Sequence, residues 1–346
     1  MSKLKMGVIG VGGIALDRHI PAYAGMIDTV ELTALQDINK ERAEEAAKNY
    51  DIPYVFEDYY DLFKKVDAVT ICTPNKFHSE IAIAALEAGV HVLVEKPMAI
   101  TSAECEAMIA AAEKNDRLLS IAYHYRYTPE AKLAKEAINN GEIGDPLVTR
   151  VQAMRRRKVP GWGVFTNKDL QGGGSLIDFG CHLLDLALWL LDDPQPVEVI
   201  GRTYDNLSKT PGQVNDWGAF DHETFNVDDH VTSYITFDNG MSLQFECSWA
   251  ANIKEDFTAL SISGVNGGLD VYPFQLYQTR YGTVWNSQPN LKEDKLSPGF
   301  YQAKNFVDSC LGNDELIVKP EQAQKVTALM EAIYKSSETS SSVKLT

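Results

Sequence analysis

An apolar strand that runs directly into glycines constrains this chain more than any other feature. Met6-Gly7-Val8-Ile9 is followed at once by Gly10-Val11-Gly12-Gly13-Ile14-Ala15. Glycine at 10 permits a sharp strand-to-helix turn, glycine at 12 lets the backbone approach a bulky anion, and Ala15 lets the next helix lie close on the strand. The helix start turns free N–H groups and a partial positive charge toward that anion. Glycine turns are common, so the context matters. A helix pattern follows, and Asp37 ends the next strand signal, Val30–Gln36, where a carboxylate would accept ribose hydroxyls. A plain turn, with Asp37 as a helix cap, is the simpler alternative. Read as a cradle, Gly10, Gly12, Gly13, Ile14 and Ala15 hold a dinucleotide pyrophosphate. Asp37 repels a 2′-phosphate and favours NAD, while Lys40 and Arg42 keep NADP open.

The signals around this turn extend it into a layered sheet. Leu4–Ile9, Val30–Gln36, Val66–Thr73, Val90–Val94 and Leu118–Tyr123 read as strands. Between them lie helix patterns at Lys40–Asn49, at Ser79–Ala88 (ended by Gly89) and from the capping box Thr101-x-x-Glu104 to Lys114. Alternating strands and helices pair in parallel through right-handed crossovers. The pattern changes after residue 123. A helix at Glu130–Asn139 and a strand at Leu147–Met154 lead into a basic, then glycine-rich loop over 155–175 and an apolar helix at Leu176–Leu191. Strand signals follow at Val197–Tyr204, His230–Phe237, Met241–Trp249, Phe257–Ser263 and Leu269–Tyr272. Asp238-Asn239-Gly240 and Asn266-Gly267-Gly268 are hairpin signals. Helix patterns return at Gly299–Cys310 and Pro320–Ser336. The chain is therefore expected to be α/β. Residues 1–123 form an N-terminal Rossmann domain with a doubly wound parallel sheet. Residues 124–346 form an α+β domain with a large, mostly antiparallel open sheet and a C-terminal helix that could pack back on the first domain.

Composition sets the bounds of function. A chain of 346 residues exceeds what one core usually supports. Its 48 acidic against 32 basic residues leave a net charge of −16, which repels nucleic acid and anionic membrane, so neither is expected as a partner. Cys72, Cys105, Cys181, Cys247 and Cys310 are odd in number and lack C-x-x-C spacing, which points to a reducing cytoplasm without disulfides or a metal site. Lys3, Lys5 and Ala22-Tyr23-Ala24 superficially resemble a secretory signal, but four glycines and Asp17-Arg18-His19 interrupt it. No apolar stretch reaches the roughly 18 residues of a membrane span.

Chemistry is carried by two further segments. Val92-Leu93-Val94-Glu95-Lys96-Pro97 ends a buried strand in charge, and Thr73-Pro74-Asn75 with His78 ends another at the same sheet edge. Ligands bind at the carboxyl ends of parallel strands, which makes Thr73, Pro74, Asn75, His78, Glu95 and Lys96 candidate cofactor contacts. A surface lysine is the plainer reading of Lys96. Gly172-Gly173-Gly174-Ser175 then opens the helix that carries Asp178 and His182, an i, i+4 pair on one face. Histidine titrates near operating pH and suits removal of a hydroxyl proton, and an adjacent ammonium would stabilise the alkoxide. The alternative makes Asp178 a cap and His182 a core histidine. Asp185 raises a metal option, but no second histidine completes a site.

In this order and spacing, the Gly10–Ala15 turn, Thr73-Pro74-Asn75-x-x-His78, Glu95-Lys96-Pro97 and the Gly172–His182 run resemble the Gfo/Idh/MocA family of nicotinamide-dependent sugar and polyol oxidoreductases. The resemblance covers essentially the whole chain. It implies that Lys96 touches the nicotinamide ribose and the reacting hydroxyl, that His182 is the general base, and that Asp178 orients the substrate. It also implies a cis Lys96–Pro97 bond and a homodimer or homotetramer through the C-terminal sheet. The expected function is hydride transfer between NAD(P) and a secondary alcohol of a sugar, inositol or sugar derivative. The rivals are a glycosidase using transient oxidation, a cofactor-retaining sugar–sugar oxidoreductase and a non-catalytic nucleotide regulator. Arg126 and Trp162 are weaker substrate candidates. Arg155-Arg156-Arg157-Lys158 could steer an anionic sugar or be a solvated face, and the loop 205–228, with Trp217 and His222, has no readable direction.

Overall fold

The computed structural model describes residues 3–292 and 294–345. The chain divides into two units, the first ending at His124 and taking in Asp294–Thr327, the second beginning at Tyr125 and resuming at Ala328.

In the first unit the described residues form a six-stranded sheet of β1 (Leu4–Ile9), β2 (Val30–Gln36), β3 (Tyr54–Phe56), β4 (Ala68–Ile71), β5 (His91–Val94) and β6 (Leu119–Ile121). The order is β3-β2-β1-β4-β5-β6, with every pair parallel. Strands covered on both faces read as continuous apolar runs, which is why β1, β4 and β5 stand out in the sequence. β3 is three residues at an edge, too short to show a period. The helix Ser102–Asn115 starts with the expected capping box of Thr101 and Glu104. Met6, Val8, Leu35 and Leu93 build the core together with Phe306 and Val307 of the helix Pro298–Cys310. The strand order reverses between β1 and β4, so the segments leaving these strands flank the switch point where ligands bind.

The second unit carries, among the described residues, a nine-stranded sheet. It contains β7 (Pro146–Met154), β8 (Pro196–Tyr204), β9 (His230–Phe237), β10 (Ser242–Ser248), β11 (Phe257–Gly264), β12 (Gly267–Asp270), β13 (Gln275–Arg280), β14 (Thr283–Ser287) and β15 (Val343–Lys344). The order is β14-β13-β12-β11-β7-β10-β9-β8-β15. Only β7 and β10 pair in parallel among these strands. Gly240, at φ +82°, makes the turn between β9 and β10 as its sequence context predicts. The second hairpin turns at Val265-Asn266 instead, and Gly267 and Gly268 enter β12. A Cβ at Gly267 would stand 2.7 Å from the Tyr277 carbonyl oxygen, so close backbone approach explains this glycine. β13, β14 and β15 carry no sequence signal, being half-buried without alternation, exposed, and only two residues long, respectively. No helix of the described residues is long and apolar enough to cross a membrane.

Candidate active site

The first unit presents the glycine turn at the end of β1. Gly10 has φ +83°, and a Cβ there would meet the Cys72 carbonyl carbon at 2.8 Å. At Gly12 an added Cβ would meet nothing within 4 Å, which fits a pyrophosphate lying against the backbone. Helical turns run from Gly13 through Ile14 and then widen to a π turn over Ala15–His19. Asp37 is buried, and its carboxylate accepts the Val11 N–H (2.6 Å), the Asn39 N–H (2.7 Å) and both bonds from Arg42 Nη2 (2.8 Å each). It ties the glycine turn to the end of β2, while the cap of the helix Lys40–Asn49 is Asn39. The cap reading of Asp37 is therefore replaced by a bridging one.

Thr73 and Pro74 follow β4, Asn75–Phe77 makes a 3-10 turn, and His78 opens the helix His78–Glu87. The His78 ring lies between the Pro97 carbonyl (2.8 Å from Nδ1) and the Thr73 carbonyl (3.0 Å from Nε2), joining two turns that leave the sheet edge. Burial pulls the His78 pKa down against these carbonyls. The Lys96–Pro97 bond is cis, as the resemblance implies. Beneath it Glu95 is buried. His19 Nε2 lies 2.7 Å from Glu95 Oε1, and the Lys96 N–H donates to Oε2 at 3.2 Å. Burial alone would raise the Glu95 pKa, but His19, Arg18 and Lys96 outweigh it and hold it at about 2. Burial and the Arg18 guanidinium push the neighbouring His124 down to about 3. Its Nδ1, 3.1 Å from Arg18 Nη1, is therefore an acceptor. Sequence reasoning missed His19, because nothing local ties it to a residue two strands away in the sheet order.

In the second unit the glycine run is packed tight. Asp228 accepts four hydrogen bonds: the Gly174 N–H (2.7 Å), the Ser175 hydroxyl (2.8 Å), the Leu176 N–H (2.9 Å) and the Tyr334 hydroxyl (2.6 Å). A Cβ at Gly174 would stand 1.9 Å from the Asp228 carbonyl oxygen, and one at Gly173 would stand 2.0 Å from the Tyr334 hydroxyl. A buried carboxylate thus clamps the start of the catalytic candidate helix. That helix begins as a π turn, Leu176–Gly180, and continues as Cys181–Leu190. Asp178 does not cap it, because its own N–H already bonds the Gly174 carbonyl at 2.9 Å. The Asp178 Oδ2 accepts Trp249 Nε1–H (3.0 Å) and Arg155 Nη1–H (3.3 Å). His182 is buried, its ring 5.1 Å from that of Tyr125.

The Arg155 guanidinium also lies 4.2 Å from the Phe179 ring and 4.8 Å from the Trp217 ring, and Trp217 packs on Trp162 at 5.3 Å. The remaining basic cluster is engaged locally: Arg156 with the Lys254 carbonyl, Arg157 with Asn252 and Lys158 with Asp256. Arg126 is fully buried and pairs with Asp185 through two bonds of 2.9 and 2.6 Å. Arg126, expected as a weaker substrate contact, is thus taken up inside the protein by Asp185. Among the described residues no group of three His, Cys, Asp or Glu could hold a metal ion.

Two family models match the chain. Residues 4–123 match the oxidoreductase family with NAD-binding Rossmann fold, and residues 131–270 match the GFO/IDH/MocA C-terminal domain. A D-glucoside 3-dehydrogenase of Escherichia coli (strain K12) is 35% identical over 99% of this chain and 98% of its own length. A levoglucosan dehydrogenase of Pseudarthrobacter phenanthrenivorans is 30% identical over 78% of this chain and 73% of its own. A solved levoglucosan dehydrogenase in complex with NADH and L-sorbose superposes with a TM-score of 0.87 at 25% identity, covering both chains fully.

Proposed function

This chain belongs to the Gfo/Idh/MocA oxidoreductases and is an NAD-dependent dehydrogenase, and from that premise we propose that it oxidises one secondary alcohol of a sugar, inositol or sugar derivative. The observation that carries the reading is the preset pair on one helix: Asp178 held by Trp249 and Arg155, and His182 one turn later against Tyr125. NAD, held by Gly10, Gly12, Gly13, Ile14, Ala15 and Asp37 with Thr73, Pro74, Asn75 and Lys96, supplies the hydride acceptor when bound. His78 and Glu95, expected as cofactor contacts, are buried and bonded within the protein and support these turns instead. His182 takes the hydroxyl proton, for which a neutral imidazole is suited near neutral pH. Asp178 accepts from a neighbouring substrate hydroxyl and sets the sugar's orientation. The Lys96 ammonium stabilises the alkoxide as it develops. The names of the relatives, a glucoside and a levoglucosan dehydrogenase, support the substrate class.

The same reading makes the protein a homodimer or homotetramer through the nine-stranded sheet, where Ile200 and Tyr234 are exposed register partners. It also places the protein in the cytoplasm, which fits five unbridged cysteines.

The test is NADH formation by purified Lys96→Ala and His182→Ala on a panel of aldoses, glycosides and inositols. Each variant is expected to lose about 100-fold or more in kcat while still binding NADH. Near-wild-type turnover in either overturns the assignment. Release of the aglycone without NADH would replace it with the glycosidase.

A further inference from the structure

We propose that Trp162 and Trp217 form a subsite for a neutral ring attached to the sugar, so that uncharged glycosides are preferred over free aldoses and sugar acids. The inference rests on the dehydrogenase reading and names the substrate class of the same site.

Placement comes first. In that reading Asp178 orients the sugar, and Arg155 bridges from Asp178 Oδ2 to the Trp217 ring. Trp217 therefore stands one guanidinium beyond the sugar-orienting carboxylate, and Trp162 stands one ring further on. A group attached to a sugar held at Asp178 reaches this pair.

Exposure comes second. Trp162 is 53% exposed and Trp217 is 38% exposed. A residue that merely anchors a loop is buried, and here that task falls to others. Val159, Phe225, Val227 and Trp249 make a compact core under both loops, with Phe165 and Phe220 against it. Two indoles left in water side by side gain by covering the apolar face of a ring.

Rigidity comes third. Asn215 accepts the Val159 N–H at 2.8 Å and donates to the Val159 carbonyl at 2.9 Å, so the loops over 155–175 and 205–228 are stitched together. A Cβ at Gly161 would stand 2.6 Å from the Ala219 carbonyl oxygen, which shows how closely they approach. The indoles are thus ordered before any ligand arrives, and less entropy is lost on binding.

Charge selects against anions. Arg155 is neutralised by Asp178 and sandwiched by Phe179 and Trp217. Arg156, Arg157 and Lys158 are engaged with a carbonyl, Asn252 and Asp256. An anionic sugar would have to draw Arg155 from Asp178, on a chain of net charge −16.

The experiment compares kcat/KM of the full-length protein on D-glucose, methyl glucoside, both anomers of phenyl glucoside and D-glucuronate. One phenyl anomer should exceed D-glucose about tenfold, chiefly through KM, the size one or two ring stacks supply. Glucuronate should fall about tenfold below methyl glucoside. In Trp162→Ala and Trp217→Ala the ratio of phenyl glucoside to glucose should collapse to about 2 or less, while kcat/KM on glucose falls less than that on the glycoside. Trp162→Ala carries the cleaner reading, since it lies one ring beyond Arg155. An unchanged ratio in both variants overturns the subsite. Absence of NADH on every sugar removes the dehydrogenase reading alone. The subsite is then decided by phenyl glucoside quenching of tryptophan fluorescence, where quenching lost in Trp217→Ala upholds it and no quenching overturns it.

Discussion

At Gly12 an added side chain would meet nothing within 4 Å, whereas at Gly174 it would stand 1.9 Å from the carbonyl oxygen of Asp228. Both glycines open a helix that widens at once into a π turn, Ala15–His19 in one unit and Leu176–Gly180 in the other. Such turns recur at functional sites. Each turn also rests on a buried carboxylate, Glu95 paired with His19 in the first and Asp228 with four donors in the second. The two segments look alike as strings of small residues, yet one is left open on its ligand side and the other is filled by the protein's own backbone. In the proposed reading, glycine in the first serves a cofactor that arrives later. In the second it serves the aim of Asp178.

The comparison is broken most directly at Gly174. Gly174→Ala should cost about 4 kcal/mol or more, because the contact is backbone and cannot yield. That lowers the melting temperature by roughly 5 °C or more. A variant that melts within a degree of wild type shows that the second turn is not packed as described.

Glu95→Gln comes next and tests the foundation of the first turn. The Glu95 pKa is depressed to about 2 from an ordinary 4.5, so the ionised form is favoured in the fold. Its contribution of about 3 kcal/mol is complete above pH 4.5 and is lost as pH falls toward 2. The stability gap between wild type and Glu95→Gln should follow that course in denaturant titrations. A gap that does not narrow between those limits shows that ionised Glu95 does not stabilise the fold.

The smallest effect on stability belongs to Gly12→Ala, within about 0.5 kcal/mol of wild type, since the Cβ enters open space. NADH affinity should nevertheless fall roughly tenfold or more, because that space is where the pyrophosphate backbone approach is needed. Unchanged affinity, measured by NADH fluorescence, would place the cofactor elsewhere.

Much of the fold was legible in advance. Met6-Gly7-Val8-Ile9 and Val92-Leu93-Val94 are apolar runs buried on both faces, Thr101 and Glu104 spell a capping box, and Gly240 marks a hairpin. Each is a local signal with a local cause. Tyr54–Phe56, Val343–Lys344, the half-buried β13 and the exposed β14 carry no such signal, because short or weakly buried strands owe their pairing to neighbours and not to their own pattern. In the candidate sites the sequence named Asp37, Glu95, Lys96, Asp178 and His182 but said nothing of what holds them. Arg42 on Asp37, His19 on Glu95, and Trp249 with Arg155 on Asp178 join residues far apart in the chain.

By itself the sequence determined the element types, the parallel first sheet, the cradle and the identity of the acid–base candidates. These depend on backbone freedom, residue period and side-chain chemistry, all of which act within a few neighbouring residues. Only the tertiary structure decided which glycines stay open, which carboxylates are clamped and by what, that Arg126 is taken up by Asp185, and that Trp162 meets Trp217. Those outcomes turn on space and charge shared between distant segments, and no local pattern encodes a contact that closes only when the chain has folded.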